Sequence, residues 1–239
     1  WREALTRELE KRDLLIEVGG HGYQNFLNAT MEDGALFRQH PEWFGKNKNG
    51  VPDPSDHLVF NTSNTQAVDY FTGNVMNYLR RHPEIDIFDC WPPDVARWAE
   101  SPDLAALGTP ADRQAKLINR LDSVIRKEMP NVLLEVIAYG EVLKPPQTVT
   151  LNKDVLVDIC PINQSFETPV YDTSRNKEYT DAINKWRQVF PGPIGLYSYY
   201  RKYAWRSLPV QIRHYMQQDM QWYAKLPLQG ISTYAEPGD

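Results

Sequence analysis

Two aspartates bracket an aromatic–proline run, Asp89-Cys90-Trp91-Pro92-Pro93-Asp94, and a glutamate stands in the last run of the chain, Tyr234-Ala235-Glu236-Pro237-Gly238-Asp239. Carboxyl groups in pairs are what most glycosidic bond cleavage requires: one protonates the leaving oxygen, and the other acts as base or nucleophile. Asp94 follows two prolines that stiffen its loop, which suits a positioned acid, although an aspartate there also suits a helix cap. Asp89 alternates with Ile85 and Ile87 and shares their face with Trp91, so it is either a catalytic group or a buried hydrogen-bonding anchor. Glu236 reads as a second catalytic group or a grip on hydroxyls, against the plainer role of a turn residue before Pro237. The catalytic candidates are therefore Asp94, Asp89 and Glu236.

The residues around them suit a sugar, whose flat C–H faces stack on aromatic rings while its hydroxyls pair with amides, imidazoles and carboxylates. Seven tryptophans and thirteen tyrosines are present, and Trp91, Tyr139, Tyr197, Tyr199, Tyr200 and Trp205 are the platform candidates. Aromatic rings are equally ordinary core material. His21 lies among three glycines, where backbone can approach a ligand closely; Tyr23 and Asn61 complete the polar set. Arg206, with Lys202 nearby, has the fork that grips a uronic-acid carboxylate, or else forms a surface ion pair. Glu17, Glu135 and Asp158 interrupt apolar runs and read as buried structural acids needing partners. The five histidines contain no His-x-His or His-x-x-x-His pair, and Cys90 and Cys160 lack zinc-site spacing. No metal and no cofactor is expected.

These groups need a scaffold that brings strand ends together. Strand-like runs at 14–18, 58–61, 85–91, 132–139, 155–161, 194–200 and 230–236 alternate with amphipathic helical stretches. Near-continuous apolar strands of this kind suit a parallel sheet covered on both faces. Asn64 is placed to cap a helix carrying Val68, Phe71, Val75 and Tyr78. Thr109-Pro110 opens another with Leu117, Leu121, Val124 and Ile125. Tyr179, Ile183, Trp186 and Phe190 stripe a third, and Ile212, Tyr215, Met216 and Tyr223 a fourth. The order is that of an α/β (β/α)₈ TIM barrel, in which the functional residues sit at the C-terminal strand ends. The 239 residues form one domain, 1–239. The chain opens in a helix, so the seven runs count as the second to eighth strands. The first strand and last helix are expected in the rest of a longer protein. A net charge of −5 without a concentrated basic face argues against a nucleic-acid partner. No apolar run reaches the roughly 20 residues of a membrane span.

The stretches Leu15-Ile16-Glu17-Val18-Gly19-Gly20-His21-Gly22-Tyr23, His40-Pro41-Glu42-Trp43-Phe44, Trp91-Pro92-Pro93-Asp94 and Tyr199-Tyr200-Arg201-Lys202-Tyr203-Ala204-Trp205-Arg206 resemble a bacterial domain of unknown function, DUF4838, grouped with glycoside-hydrolase barrels. The resemblance runs from about the second strand to the last residue. It implies a glycosidase-type barrel within a larger, often exported, polysaccharide-degrading protein, with a carbohydrate substrate and other domains of the same chain as partners. More distantly the layout is similar to hexosaminidase and α-glucuronidase barrels, which place an acid at the end of the fourth strand, where Asp89 and Asp94 stand. That similarity brings uronic acids and N-acetylhexosamines into view as substrate sugars. Two other classes compete: a non-catalytic carbohydrate-binding barrel, which would keep the aromatics without a productive carboxyl pair, and a metal-dependent hydrolase.

Overall fold

The computed structural model describes residues 2–98, 101–200 and 212–233. The chain divides into two compact units, Trp1–Val136 with Pro146–Val155, and Ile137–Pro145 with Leu156–Asp239.

The first unit runs α1 (Arg2–Glu10), β1 (Glu17–His21), α2 (Tyr23–Phe26), α3 (Ala35–Gln39), α4 (Thr65–Arg80), β2 (Ile87–Trp91), α5 (Pro102–Ala105), α6 (Pro110–Glu128) and the first part of β3 (Leu133–Ala138). β1 pairs parallel with β2 and β2 with β3, in the register Gly19↔Asp89↔Glu135, with His21↔Trp91 one step further along. Side chains alternate across a strand, so Glu17, His21, Asp89, Trp91 and Glu135 share one face. Phe88 is turned the other way, its ring meeting Phe26 and Tyr78 edge-on or tilted. The helices form where the sequence caps them. Asn64 accepts from the Ala67 amide at the start of α4. Thr109 and Asp112 form a capping box at the start of α6.

Asp112 does more than cap. Its Oδ1 accepts from the amides of Gln147, Thr148 and Val149 at 2.8, 2.7 and 3.2 Å, and its Oδ2 accepts from the Thr109 amide and hydroxyl. One buried carboxylate thus clips the 146–155 segment onto α6. Burial pushes its pKa up, but the donors from Thr148 and Thr109 outweigh burial and hold the carboxyl well below its ordinary value.

Two expectations need correction here. The run 58–61 is no ladder strand: Leu58 makes only an isolated parallel bridge to Arg97, with Val59 N donating to Arg97 O and Arg97 N to His57 O. The Asn61 side chain accepts from the Ser63 amide and hydroxyl and turns the chain into α4 before a strand can extend. Six strands, not seven, are found among the described residues. β1 also begins at Glu17 rather than at residue 14. Leu14 and Leu15 are exposed, and Ile16 N is tied to the Asp86 carboxylate at 2.8 Å, so the ladder starts just after that tie.

The second unit holds the end of β3, then β4 (Leu156–Ile159), α7 (Thr173–Val189), β5 (Ile194–Ser198), α8 (Arg213–Tyr223) and β6 (Gly230–Thr233). Cys160 N donates to Ala138 O at 3.0 Å. β4, β5 and β6 are parallel neighbours, with Asp158↔Gly195↔Gly230 in register. α7 buries Tyr179, Ile183 and Trp186, and the indole of Trp186 donates to Leu143 O. α8 departs in part from its expected stripe: Tyr223 is buried as expected, but Met216 is exposed and Asp219 is buried. Asp219 accepts from Val170 N, Gln164 Nε2 and Tyr200 OH at 2.7, 3.1 and 2.9 Å. Its polarity is hidden from solvent because the loop after β4 and the end of β5 supply those donors. In each unit parallel strands joined through helices give an α/β fold. No helix among the described residues is long and apolar enough to cross a membrane.

Candidate active site

The carboxylates of Glu17, Asp89 and Glu135 come together from β1, β2 and β3, with one oxygen of each within 4.8 Å of the others. Asp89 and Glu135 are buried and opposite in register, while Glu17 is exposed. Carboxylates this close repel one another, and a cation among them would offset that repulsion. The all-oxygen donor set of the group suits a hard divalent ion. Room for Asp89 comes from Gly19, whose φ is +143°. A Cβ there would lie 2.1 Å from Asp89 O and 2.7 Å from Asp89 Cβ. Gly19→Ala is therefore expected to cost about 3 kcal/mol of stability, since neither the backbone angle nor the contact can be relieved by a rotamer change. A lowered urea midpoint checks this.

In the sequence Glu17 and Glu135 read as structural acids, and the geometry puts both against Asp89. The available signal was their shared strand face. The missing one was register.

One step nearer the C-terminal strand ends stand His21 and Trp91, their rings edge to face at 5.3 Å. His21 Nδ1 is 2.7 Å from Pro92 O, and its Nε2 is 3.8 Å from Asp94 Oδ1. Asp94 does not cap an ordered helix. Its Oδ1 accepts from Val95 N, its backbone carbonyl accepts from His57 Nδ1 at 3.1 Å, and its side chain is 63% exposed. Val95 is held at φ 50°, a strained region for a β-branched residue. Strain of this kind persists only where the surroundings fix it. Asn61, half-buried, spends its side chain on Ser63 and on Glu42 O. Tyr23 lies in the core, 2% exposed, against Phe60, Phe71 and Trp98. The buried Arg113 guanidinium sits 5.6 Å from the Trp98 ring.

In the second unit Tyr139 and Tyr197 are half-buried, and Tyr197 meets Tyr199 edge-on at 5.3 Å. Tyr199 and Tyr200 are buried. The Tyr200 hydroxyl is engaged with Asp219 and its ring with Phe166, so its position is that of a structural anchor. Asp158 is buried on β4. A Cβ at Gly195 would lie 2.8 Å from Asp158 Oδ1, and Ser232 Oγ is 3.5 Å from Asp158 Oδ2. Trp205, Arg206 and Glu236 lie outside the described residues.

The fold has solved counterparts. The α-galactosidase from Lactobacillus brevis is similar over 97% of this chain and 28% of its own, at 14% identity and a TM-score of 0.50. An α-amylase from Lactobacillus plantarum is similar over 97% of this chain and 52% of its own, at 14% identity and a TM-score of 0.51. The chain thus spans about half or less of the length of these glycoside hydrolases, whose fold it shares. No sequence among the curated proteins matches it significantly. The model of one family does match, over residues 7–236: the chain belongs to the domain of unknown function DUF4838.

Proposed function

We propose that the chain supplies most of a (β/α)₈ glycosidase barrel that hydrolyses a glycosidic bond in a poly- or oligosaccharide. A longer, exported bacterial polypeptide would supply the rest of the barrel. The observation that carries this reading is the approach of Glu17, Asp89 and Glu135 to within 4.8 Å on one strand face, beneath His21, Trp91 and Asp94. The glycoside-hydrolase fold of its structural neighbours supports it. Asp94, exposed on a stiffened loop, is the general acid. Asp89, flanked by two further carboxyls, is the base or nucleophile, and Glu236 is the third candidate. Uronic acids or N-acetylhexosamines are the sugars to test first.

The deciding experiment is Asp94→Asn assayed on two substrate types. Natural oligosaccharides leave as poor leaving groups and need protonation, so their turnover falls by about 10²–10⁴-fold. Activated aryl glycosides depart unaided and lose much less. An Asp94→Asn enzyme with wild-type rates on natural oligosaccharides removes Asp94 from the mechanism.

A further inference from the structure

A groove of about 1020 Å³ opens between α4 and β1, within the first unit. That volume stands at the upper end of ordinary ligand sites. Val18 and Phe88, opposite one another in register, line it with Phe26 and Met31 and give it apolar walls. α4 contributes Tyr70, Asn74, Asn77, Tyr78 and Arg81. Their spacing of i, i+4, i+7, i+8 and i+11 puts them along one side of the helix. This stripe is separate from the one that α4 buries, which carries Val68, Phe71, Val75 and Leu79. Asparagine is a poor helix former, so Asn74 and Asn77 weaken the body of α4 at positions that the core does not need.

The polar groups along the groove are mostly neutral and only partly used. Asn74 Nδ2 donates to Phe26 O at 2.9 Å, and Asn77 Oδ1 accepts from Arg80 Nη1 at 2.9 Å. Asn74 therefore keeps its oxygen as an acceptor, and Asn77 keeps its NH₂ as a donor. Among the described residues, the hydroxyls of Tyr70 and Tyr78 and the side-chain amide of Asn25 have no hydrogen-bond partner. The charges are engaged elsewhere. Arg80 bonds to Glu128 and Asn77, and Arg81 Nε donates to Asn77 O at 3.0 Å. Glu32, exposed on the same lining, adds a negative charge. This balance does not favour an anion. Hydroxyls that both donate and accept suit the amides and phenols, and C–H faces suit the apolar walls.

We propose that this groove binds a neutral oligosaccharide chain, held by the tyrosine–asparagine stripe of α4 and by Asn25 over the Val18–Phe88 wall. The site goes beyond the hydrolytic reading given above, because a barrel that cleaves nothing would bind sugar here equally well.

The test uses the full-length protein with neutral oligosaccharides, N-acetylhexosamine oligomers among them, and with oligouronates as the anionic control. The triple variant Asn25→Ala/Tyr70→Phe/Tyr78→Phe removes the polar groups and keeps both rings. Calorimetry is expected to show binding of a neutral oligosaccharide that the variant weakens about tenfold or more. Affinity should be the same at low and high salt, since no ion pair holds the ligand. Hydroxyl-radical footprinting reads the same groove directly: half-buried Tyr70 and Tyr78 are oxidised in the free protein and protected once sugar is added. Hydrolysis of a small aryl glycoside is unchanged in the variant. The proposal is overturned if no neutral oligosaccharide binds, if oligouronates bind more tightly, or if the folded variant binds as wild type does. Tyr70 and Tyr78 already shielded without sugar would mean that another segment of the polypeptide fills the groove, which overturns it too. If no glycoside is cleaved while the neutral chain still protects these tyrosines, the hydrolytic reading fails and the binding site stands.

Discussion

Asp89→Asn is expected to lose about 10²–10⁴-fold in turnover on every glycoside, activated or not, while the folded protein becomes no less stable. The substitution conserves volume and leaves the Gly19↔Asp89↔Glu135 register intact. It replaces one of three carboxyls that approach within 4.8 Å with a neutral amide, which lessens their mutual repulsion. A buried acid kept only for structure would show the opposite pattern, because its removal strands the donors that satisfied it. Lost turnover with an equal or raised melting temperature therefore marks a group retained for chemistry. Full activity in Asp89→Asn, or a large fall in melting temperature with activity per folded molecule preserved, assigns Asp89 to the framework instead.

The largest loss of stability is expected at Asp112. Asp112→Ala strands the amides of Gln147, Thr148 and Val149 together with the Thr109 amide and hydroxyl. With several donors to a charged acceptor lost at once, the cost is about 4 kcal/mol, close to a thousandfold in the folding equilibrium. The contribution is pH-dependent in a fixed direction. Asp112 is held below its ordinary carboxylate value in the folded chain. Its stabilisation is therefore complete above the unfolded-state value and is lost as pH falls through the folded-state one. Urea midpoints of wild type and Asp112→Ala should differ most near neutrality and converge in strong acid. A gap that is constant with pH would mean that the carboxylate's charge contributes nothing.

The parts of this molecule legible in the sequence are those governed by near neighbours. The caps at Asn64 and Thr109 and the stripes of α4 and α6 depend on residues within one or two turns, and they form as expected. Apolar content alone misplaces β1, because Leu14 and Leu15 are as hydrophobic as strand residues yet stand in solvent. It also makes a strand of 58–61, where a side-chain turn at Asn61 ends the extended run. The α/β class survives both errors, since it rests on the alternation of elements and not on any one boundary. The carboxylate group fares differently. Asp89 stood out from its face and its aromatic neighbours, but bringing Glu17 and Glu135 to it requires two strand registers set by contacts more than forty residues apart in the chain. Asp219 is hidden for the same reason: nothing near it in sequence announces that Val170, Gln164 and Tyr200 will satisfy it.

The two glycines that make way for aspartates are bound by different things, and that difference sets what each position can become over time. At Gly195 the atom in the way is the tip of a side chain, Asp158 Oδ1 at 2.8 Å. At Gly19 it is the main chain itself, Asp89 O at 2.1 Å. A descendant that abandons the acid at 158 opens position 195 to alanine or serine, so those two sites drift as a linked pair. A descendant that abandons the acid at 89 gains no such freedom, because the carbonyl and the positive φ remain whatever side chain follows. Glycine at 19 is thus expected to outlive the chemistry beside it and to persist in any inactive relative, whereas glycine at 195 is expected to stay only while its acid does.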